Sequence, residues 1–254
     1  MNVQALSSVT MTGRPAFYGA VDPRARIIAT LAFAATVAFL NQLLPIGLAL
    51  AIAIAAALAS GLALPPVLRR LLALEGFMLV LLVVLPFSVP GQAVMSFGPL
   101  VMSVEGLALA VAIALKANAI VIAILSQLGT LEPVHLGHGL AHLGVPRKLV
   151  ALLLLTVRYI AVFQDEYGRL RRAMRARGFR AMSSRHSWRS LGWLVGMLLV
   201  RSNDRGNRVL QAMKCRGFSG RFPILDNLHF AAQDGIYLAV AAALICLVVI
   251  VELI

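Results

Sequence analysis

Five stretches of this chain, at residues 27–42, 43–64, 71–89, 104–128 and 230–253, are almost free of charge, and every basic residue except Lys116 falls outside them. A helix needs roughly 20 apolar residues to cross the hydrocarbon core of a bilayer. The five stretches therefore predict an all-α, polytopic membrane protein with about five transmembrane helices. Arg24 and Arg26 precede the first stretch, Arg69 and Arg70 follow the second, and Arg147 and Lys148 follow the fourth. The links at residues 41–45 and 86–103 carry no basic residue. Cytoplasmic loops collect Lys and Arg, so the N-terminus is expected inside, four spans return the chain to the cytoplasm, and the fifth leads out. The residues before the first span are mixed and polar, so that span is expected to act as its own insertion signal.

Charge is concentrated as well as scarce. Charged residues are 13% of the chain against 60% hydrophobic, yet the net charge is +13. Most of the basic residues lie between Arg169 and Arg221, which the same rule places in the cytoplasm. Nucleic-acid binding is the sharper reading of such a block, but no recognition fold has room between the apolar stretches and no aromatic platform accompanies the arginines. Two shorter apolar runs, residues 149–163 with Arg158 inside and residues 191–200, lead into this block. They read as the roots of long cytoplasmic helices, lying in the inner leaflet or against other helices; a full crossing by either would change the span count and move the C-terminus. The organisation expected is membrane helices over residues 1–148, a cytoplasmic region over 149–222, and a last membrane helix over 223–254.

Few polar residues sit at membrane depth. Asp22 and Pro23 suit an N-cap and a first helical turn, a start signal for the first span. Ala49, Ala53, Ala57 and Gly61 recur every four residues, as do Ala51, Ala55, Ala59 and Ala63. Small residues at that spacing let helices approach closely in lipid, and an alanine-rich filler explains them equally well. Glu75 is placed to reach toward Arg70. Lys116, with Asn118 beside it, lies near the middle of the fourth span, where a charge needs a partner or a wet cavity. Glu105 is about three turns away, too far to pair, so Lys116 is expected to face another helix or a partner subunit.

Catalytic chemistry is not written in this chain. It contains no Gly-Lys dipeptide, hence no P-loop, and no His-Glu-x-x-His, Cys-x-x-Cys or Gly-x-Ser-x-Gly. Cys215 and Cys246 have neither metal-ligand spacing nor the setting of a disulfide. His135, His138 and His142 share one helical face, but Gly137, Gly139 and Gly144 make the stretch a poor helix, and only Glu132 joins them. A solvated, interfacial histidine cluster is expected there, with no metal site. A lipid-modifying enzyme would need an acid, His or metal constellation at the interface. A self-contained channel or secondary transporter would need polar residues in several spans, and only Lys116 and Asn118 qualify.

The feature left over is a duplication. Residues 169–179 read Arg-Leu-Arg-Arg-Ala-Met-Arg-Ala-Arg-Gly-Phe and residues 208–218 read Arg-Val-Leu-Gln-Ala-Met-Lys-Cys-Arg-Gly-Phe, with Asp165 and Asp204 at the same upstream offset. Each copy suits a basic helix end stopped by glycine. That explains one copy; it does not explain why the same residues recur between membrane spans.

Ala176-Arg177-Gly178 and Cys215-Arg216-Gly217 resemble the paired Ala-Arg-Gly signatures of the transmembrane T components of energy-coupling factor (ECF) transporters, with Cys for Ala in the second. Asp22-Pro23-Arg24 is similar to that family's N-terminal signature. Leu115-Lys116-Ala117-Asn118, the run from Leu143 to Lys148 and Arg158-Tyr159-Ile160 resemble its CbiQ branch, the T component of cobalt uptake systems. The likeness covers roughly residues 20–254 and is densest over 116–222. It implies two long cytoplasmic coupling helices whose Arg-Gly ends dock into two ABC ATPase subunits of the CbiO kind. Substrate would be held by a separate S component, CbiM-like for cobalt, assisted by a small CbiN-like subunit. It implies a multi-pass subunit of the bacterial inner membrane that is itself no enzyme, binds no cofactor and turns ATPase closure into movement of the S component. Asp22, Pro23, Arg24, Lys116 and Arg158 would then serve packing. A T component for nickel or a vitamin is the alternative within the family, and an unrelated self-contained channel or transporter the alternative outside it.

Overall fold

The computed structural model describes residues 21–61, 76, 78–89, 93–97, 100–180, 182–218 and 230–253. They form eight helices and one short hairpin: α1 Pro23–Phe39, α2 Leu43–Ala59, α3 Met78–Ser88, β1 Ala93–Phe97, β2 Leu100–Ser103, α4 Val104–Gln127, α5 Pro133–His142, α6 Arg147–Ala176, α7 Arg185–Cys215 and α8 Ala232–Leu253. The hairpin is a short connection within an otherwise helical fold. Its strands pair antiparallel, Phe97 opposite Leu100 and Ala93 opposite Ser103. The sequence between them, Gly98-Pro99, carries a turn signal, and Pro90-Gly91 ahead of β1 breaks the helical pattern.

Among the described residues α4 and α8, of 24 and 22 residues, are long and apolar enough to cross a membrane. The helices α1 and α2 have 17 residues each, about 26 Å of rise, and α3 is shorter. Arg69, Arg70, Ala63 and Glu75, and Arg221 within residues 219–229, lie outside the described residues.

The described residues divide into two compact units, one of the residues up to Gly139 with α8 and one from Leu140 through α7. In the first, α2 packs on α4, α1 meets α4, and α8 meets α1 and α2. The two alanine ladders of α2 separate here. Ala49, Ala53 and Ala57 are buried against Ala112, Ala119, Ile122 and Ala123 of α4, whereas Ala51, Ala55 and Ala59 are exposed. One stripe is a packing surface and the other is filler, because small side chains on facing helices let the backbones come close.

Polar clasps fix the helix ends of this unit. At one end Asp234, in the first turn of α8, accepts the Asp22 backbone N–H at 2.6 Å and the Ala231 N–H at 2.8 Å. Arg26 donates there to the Gln127 carbonyl and the Thr130 hydroxyl beyond the end of α4. At the other end the Glu252 carboxylate accepts the backbone N–H groups of Asn41 and Gln42, in the α1–α2 turn, at 2.8 and 3.3 Å. The start of α1, the end of α4 and the start of α8 therefore share one end of the bundle. Helices α1 and α8 run one way, and α2 and α4 the other. The Ser103 hydroxyl, bonded to the carbonyls of Pro86 and Val89, holds the end of α3 beside the start of α4.

In the second unit, the runs at 149–163 and 191–200 are the first halves of two unbroken helices, α6 of 30 residues and α7 of 31. Many of their apolar side chains, Leu149, Leu152, Trp188, Trp193 and Leu199 among them, are exposed, while Val150 and Leu194 are buried. The second halves are the basic copies of the duplication.

Candidate functional site

Both duplicated segments end in the same hydrogen-bonded geometry. At the end of α6, Phe179 N–H donates to the Met174 carbonyl at 3.1 Å and Gly178 N–H to the Arg175 carbonyl at 3.0 Å. At the end of α7, Phe218 N–H donates to Met213 at 3.0 Å and Gly217 N–H to Lys214 at 3.0 Å. This is the Schellman closure, in which a residue in the left-handed conformation lets two late carbonyls be satisfied. Gly178 and Gly217 supply it with φ of +79° and +77°. Arg177 and Arg216 are the cap residues, at φ/ψ of −89°/15° and −92°/15°. The Met–Phe pairs are half-buried, as the apolar contact that accompanies this closure requires.

A third helix shows what the closure needs. Helix α5 ends with Gly144 at φ +88°, Val145 N–H donating to Leu140 and Gly144 N–H to Ala141. Its cap residue is Leu143. Glycine is common to the three ends and arginine is not. Helix termination thus accounts for Met174, Gly178 and Phe179, and for Met213, Gly217 and Phe218, and asks of Arg177 and Arg216 no more than the favourable charge any cation has at a helix C-terminus. Both are exposed, and neither side chain makes an ion pair or hydrogen bond among the described residues. Ala176 and Cys215, which precede them, are exposed too, and Cys215 and Cys246 are free thiols.

The two helices are tied upstream of these ends. The Glu166 carboxylate of α6 accepts a hydrogen bond from the Arg201 guanidinium of α7 and lies 3.6 Å from Arg169. The bond from Arg201, reinforced by the charges of Arg201, Arg169 and Arg205, holds the Glu166 carboxyl below its ordinary range. From this tie α6 runs ten residues to Ala176 and α7 fourteen to Cys215, about 15 and 21 Å of helix.

The remaining residues singled out by sequence are dispersed. Asp22 is buried and caps α1, its Oδ1 accepting Arg24 N–H at 2.8 Å, with Pro23 as the first helical residue. Arg24 Nε lies 3.9 Å from the same carboxylate. Lys116 Nζ donates to the Ala38 carbonyl at 3.3 Å, in the last turn of α1, where carbonyls left over by the helix carry partial negative charge. Arg158 is exposed in the first half of α6. The structure does not gather His135, His138 and His142: His135 pairs with Glu132 at 3.8 Å, and no group of three His, Cys, Asp or Glu suited to a metal occurs among the described residues. The poor helix expected around them is corrected, since α5 is formed over Pro133–His142. A Cβ on Gly139 would stand 3.1 Å from Pro23 and 3.2 Å from Ile27, so the glycine that weakens the helix also lets it lie on α1.

Asp234 and Arg26 carry the clasp on α1 and were not marked as structural by the sequence. An acid in the first turn of an otherwise apolar last span was the available signal for Asp234.

The family model of the cobalt transport protein CbiQ matches residues 18–224. An energy-coupling factor transporter transmembrane protein EcfT of Thermosediminibacter oceani is 25% identical over 79% of this chain and 79% of its own length. The EcfT of Brevibacillus brevis is 25% identical over 91% of this chain and 92% of its own. The cobalt transport protein CbiQ of Rhodobacter capsulatus is 28% identical over 56% of this chain and 58% of its own.

Proposed function

Because the chain belongs to the CbiQ family and is the transmembrane T component of an energy-coupling factor transporter, we propose that it transmits ATP-driven motion to the uptake of cobalt through two exposed arginines. The observation that carries this reading is the surplus of Arg177 and Arg216 over what their helix ends require, set against Leu143 at the equivalent place in α5. A guanidinium offers five donors in a planar fork, suited to carboxylates and carbonyls in a partner's groove. Each end would dock into one of two CbiO-like ATPase subunits, with Ala176 and Gly178, and Cys215 and Gly217, small enough to let the groove close over it. The tie between Glu166 and Arg201 would make α6 and α7 a crossed pair, so that approach of the two ATPases moves both helices together. Substrate would sit in a CbiM-like S component, with a CbiN-like subunit, and this chain would bind neither metal nor nucleotide.

The same reading places the N-terminus and the basic region of residues 149–222 in the cytoplasm and the first and last membrane segments at 1–148 and 223–254, with five crossings. The alternating directions of α1, α2, α4 and α8 support that count, as does the junction of α3 with α4. Cobalt is favoured by the matched family's description and by the relative of Rhodobacter capsulatus, whose name states that metal. Uptake of labelled cobalt by cells carrying the transporter with and without this subunit tests the reading. Cobalt accumulation that depends on the subunit and is not displaced by equimolar nickel is expected. Nickel or vitamin uptake in its place would transfer the subunit to another substrate.

A further inference from the structure

Helices α6 and α7 enclose a cleft of about 320 Å³ whose walls are of two kinds. Val162, Phe163 and Leu198 supply apolar wall, and Arg201, Arg205 and Arg208 supply a row of guanidinium groups at every third or fourth residue of α7, hence on one face. Glu166 already engages Arg201 and Arg169. Arg205 and Arg208 make no hydrogen bond or ion pair among the described residues. Asp204 lines the cleft as well, so with Arg169 four arginines face two carboxylates and the site carries surplus positive charge. Immediately N-terminal to the row, α7 exposes Trp193, Leu199 and Val200, at 71, 65 and 57% of their surface. Indole and aliphatic groups next to arginines are the composition of a helix at a membrane–water interface.

We propose that this cleft binds the headgroup phosphate of an anionic phospholipid, with Arg205 and Arg208 on the phosphate and the glycerol and acyl end against Val162, Phe163 and Leu198. The occupant must satisfy an anion site and an apolar surface at once, and an anionic phospholipid carries both. Its negative charge would be met by the surplus of the cleft, whereas the choline group of a zwitterionic lipid would compete with it. The proposal rests on the membrane placement of this subunit and not on the ATPase contact.

Native mass spectrometry of the full-length chain in detergent, offered equal amounts of phosphatidylglycerol and phosphatidylcholine, tests it. Wild type should retain phosphatidylglycerol preferentially. Arg205→Gln with Arg208→Gln should lower that retention at least about fivefold, the effect of one arginine at an anionic surface, and leave phosphatidylcholine unchanged. Arg171→Gln with Arg172→Gln removes the same charge from exposed positions of α6 outside the cleft and should change neither lipid. Equal losses in the two double variants would reduce the effect to net charge and overturn the proposal. Displacement of the lipid by millimolar inorganic phosphate would overturn it also, by showing a site for phosphate alone. If the Arg205/Arg208 double variant is not monodisperse, the two single variants are measured, and unaltered retention in both is the contradicting result. No ATPase or cobalt enters the assay, so a failed coupling reading leaves its outcome untouched.

Discussion

Asp234 is the residue on which the start of α1 most depends, since its two oxygens each take a backbone N–H near a helix start. Asp234→Ala would leave a buried donor at Asp22 without its acceptor, a loss of about 1–3 kcal/mol. Thermal unfolding in detergent should show a lower Tm for that variant, and Asp234→Asn, which keeps one carbonyl oxygen, should fall between it and wild type. Lys116 belongs to the same scale. Its bond to Ala38 puts a cation at the negative end of α1, so Lys116→Met should cost about 1 kcal/mol. Uptake should persist in that variant; its abolition in a stable protein would show that Lys116 acts beyond α1. The N-cap at Asp22 was legible because cap and helix are neighbours in sequence. Asp234 was not, because its partner lies 212 residues away and no local pattern records such a pairing.

Elements were legible where periodicity or termination is local, and less so where one helix forms on account of another. The basic helix ends could be read from the cations and the glycine that stops each copy, and the structure closes both at that glycine. Helix α5 could not be read from its own residues: its glycines argue against a helix until Pro23 and Ile27 are placed beside Gly139. The ladders of α2 show the limit most simply, since both have the same composition and spacing and only one faces α4. Ala53→Leu should overpack that contact and cost about 1–3 kcal/mol. Ala55→Leu, on the exposed face, should unfold with wild type. Equal Tm values for the two variants would contradict the packing described for α2.

At the scale of the whole molecule, an apolar bundle clasped at both ends accompanies a pair of helices joined through Glu166 and Arg201. Glu166 titrates below its ordinary range, so its contribution to that join is complete above the ordinary glutamate pKa and is lost as pH falls through the lowered value. The difference in Tm between wild type and Glu166→Gln should therefore be constant between about pH 6 and 8 and close only in acid. The two Arg-Gly helix ends could be anticipated from repetition. The join itself could not, because Glu166 looks like any other charge on a basic helix. The central claim is that Arg177 and Arg216 are held out for partners. It is tested by co-purifying the ATPases with wild type, Arg177→Glu, Arg216→Glu and the double variant, in membranes where all four accumulate equally. Losing one side of a desolvated, charge-assisted contact costs about 2–5 kcal/mol, whereas losing a charge that only caps a helix costs about 1 or less. We expect each single variant to recover less ATPase than wild type and the double variant to recover almost none. ATPase recovered at the wild-type level with the double variant would contradict the account.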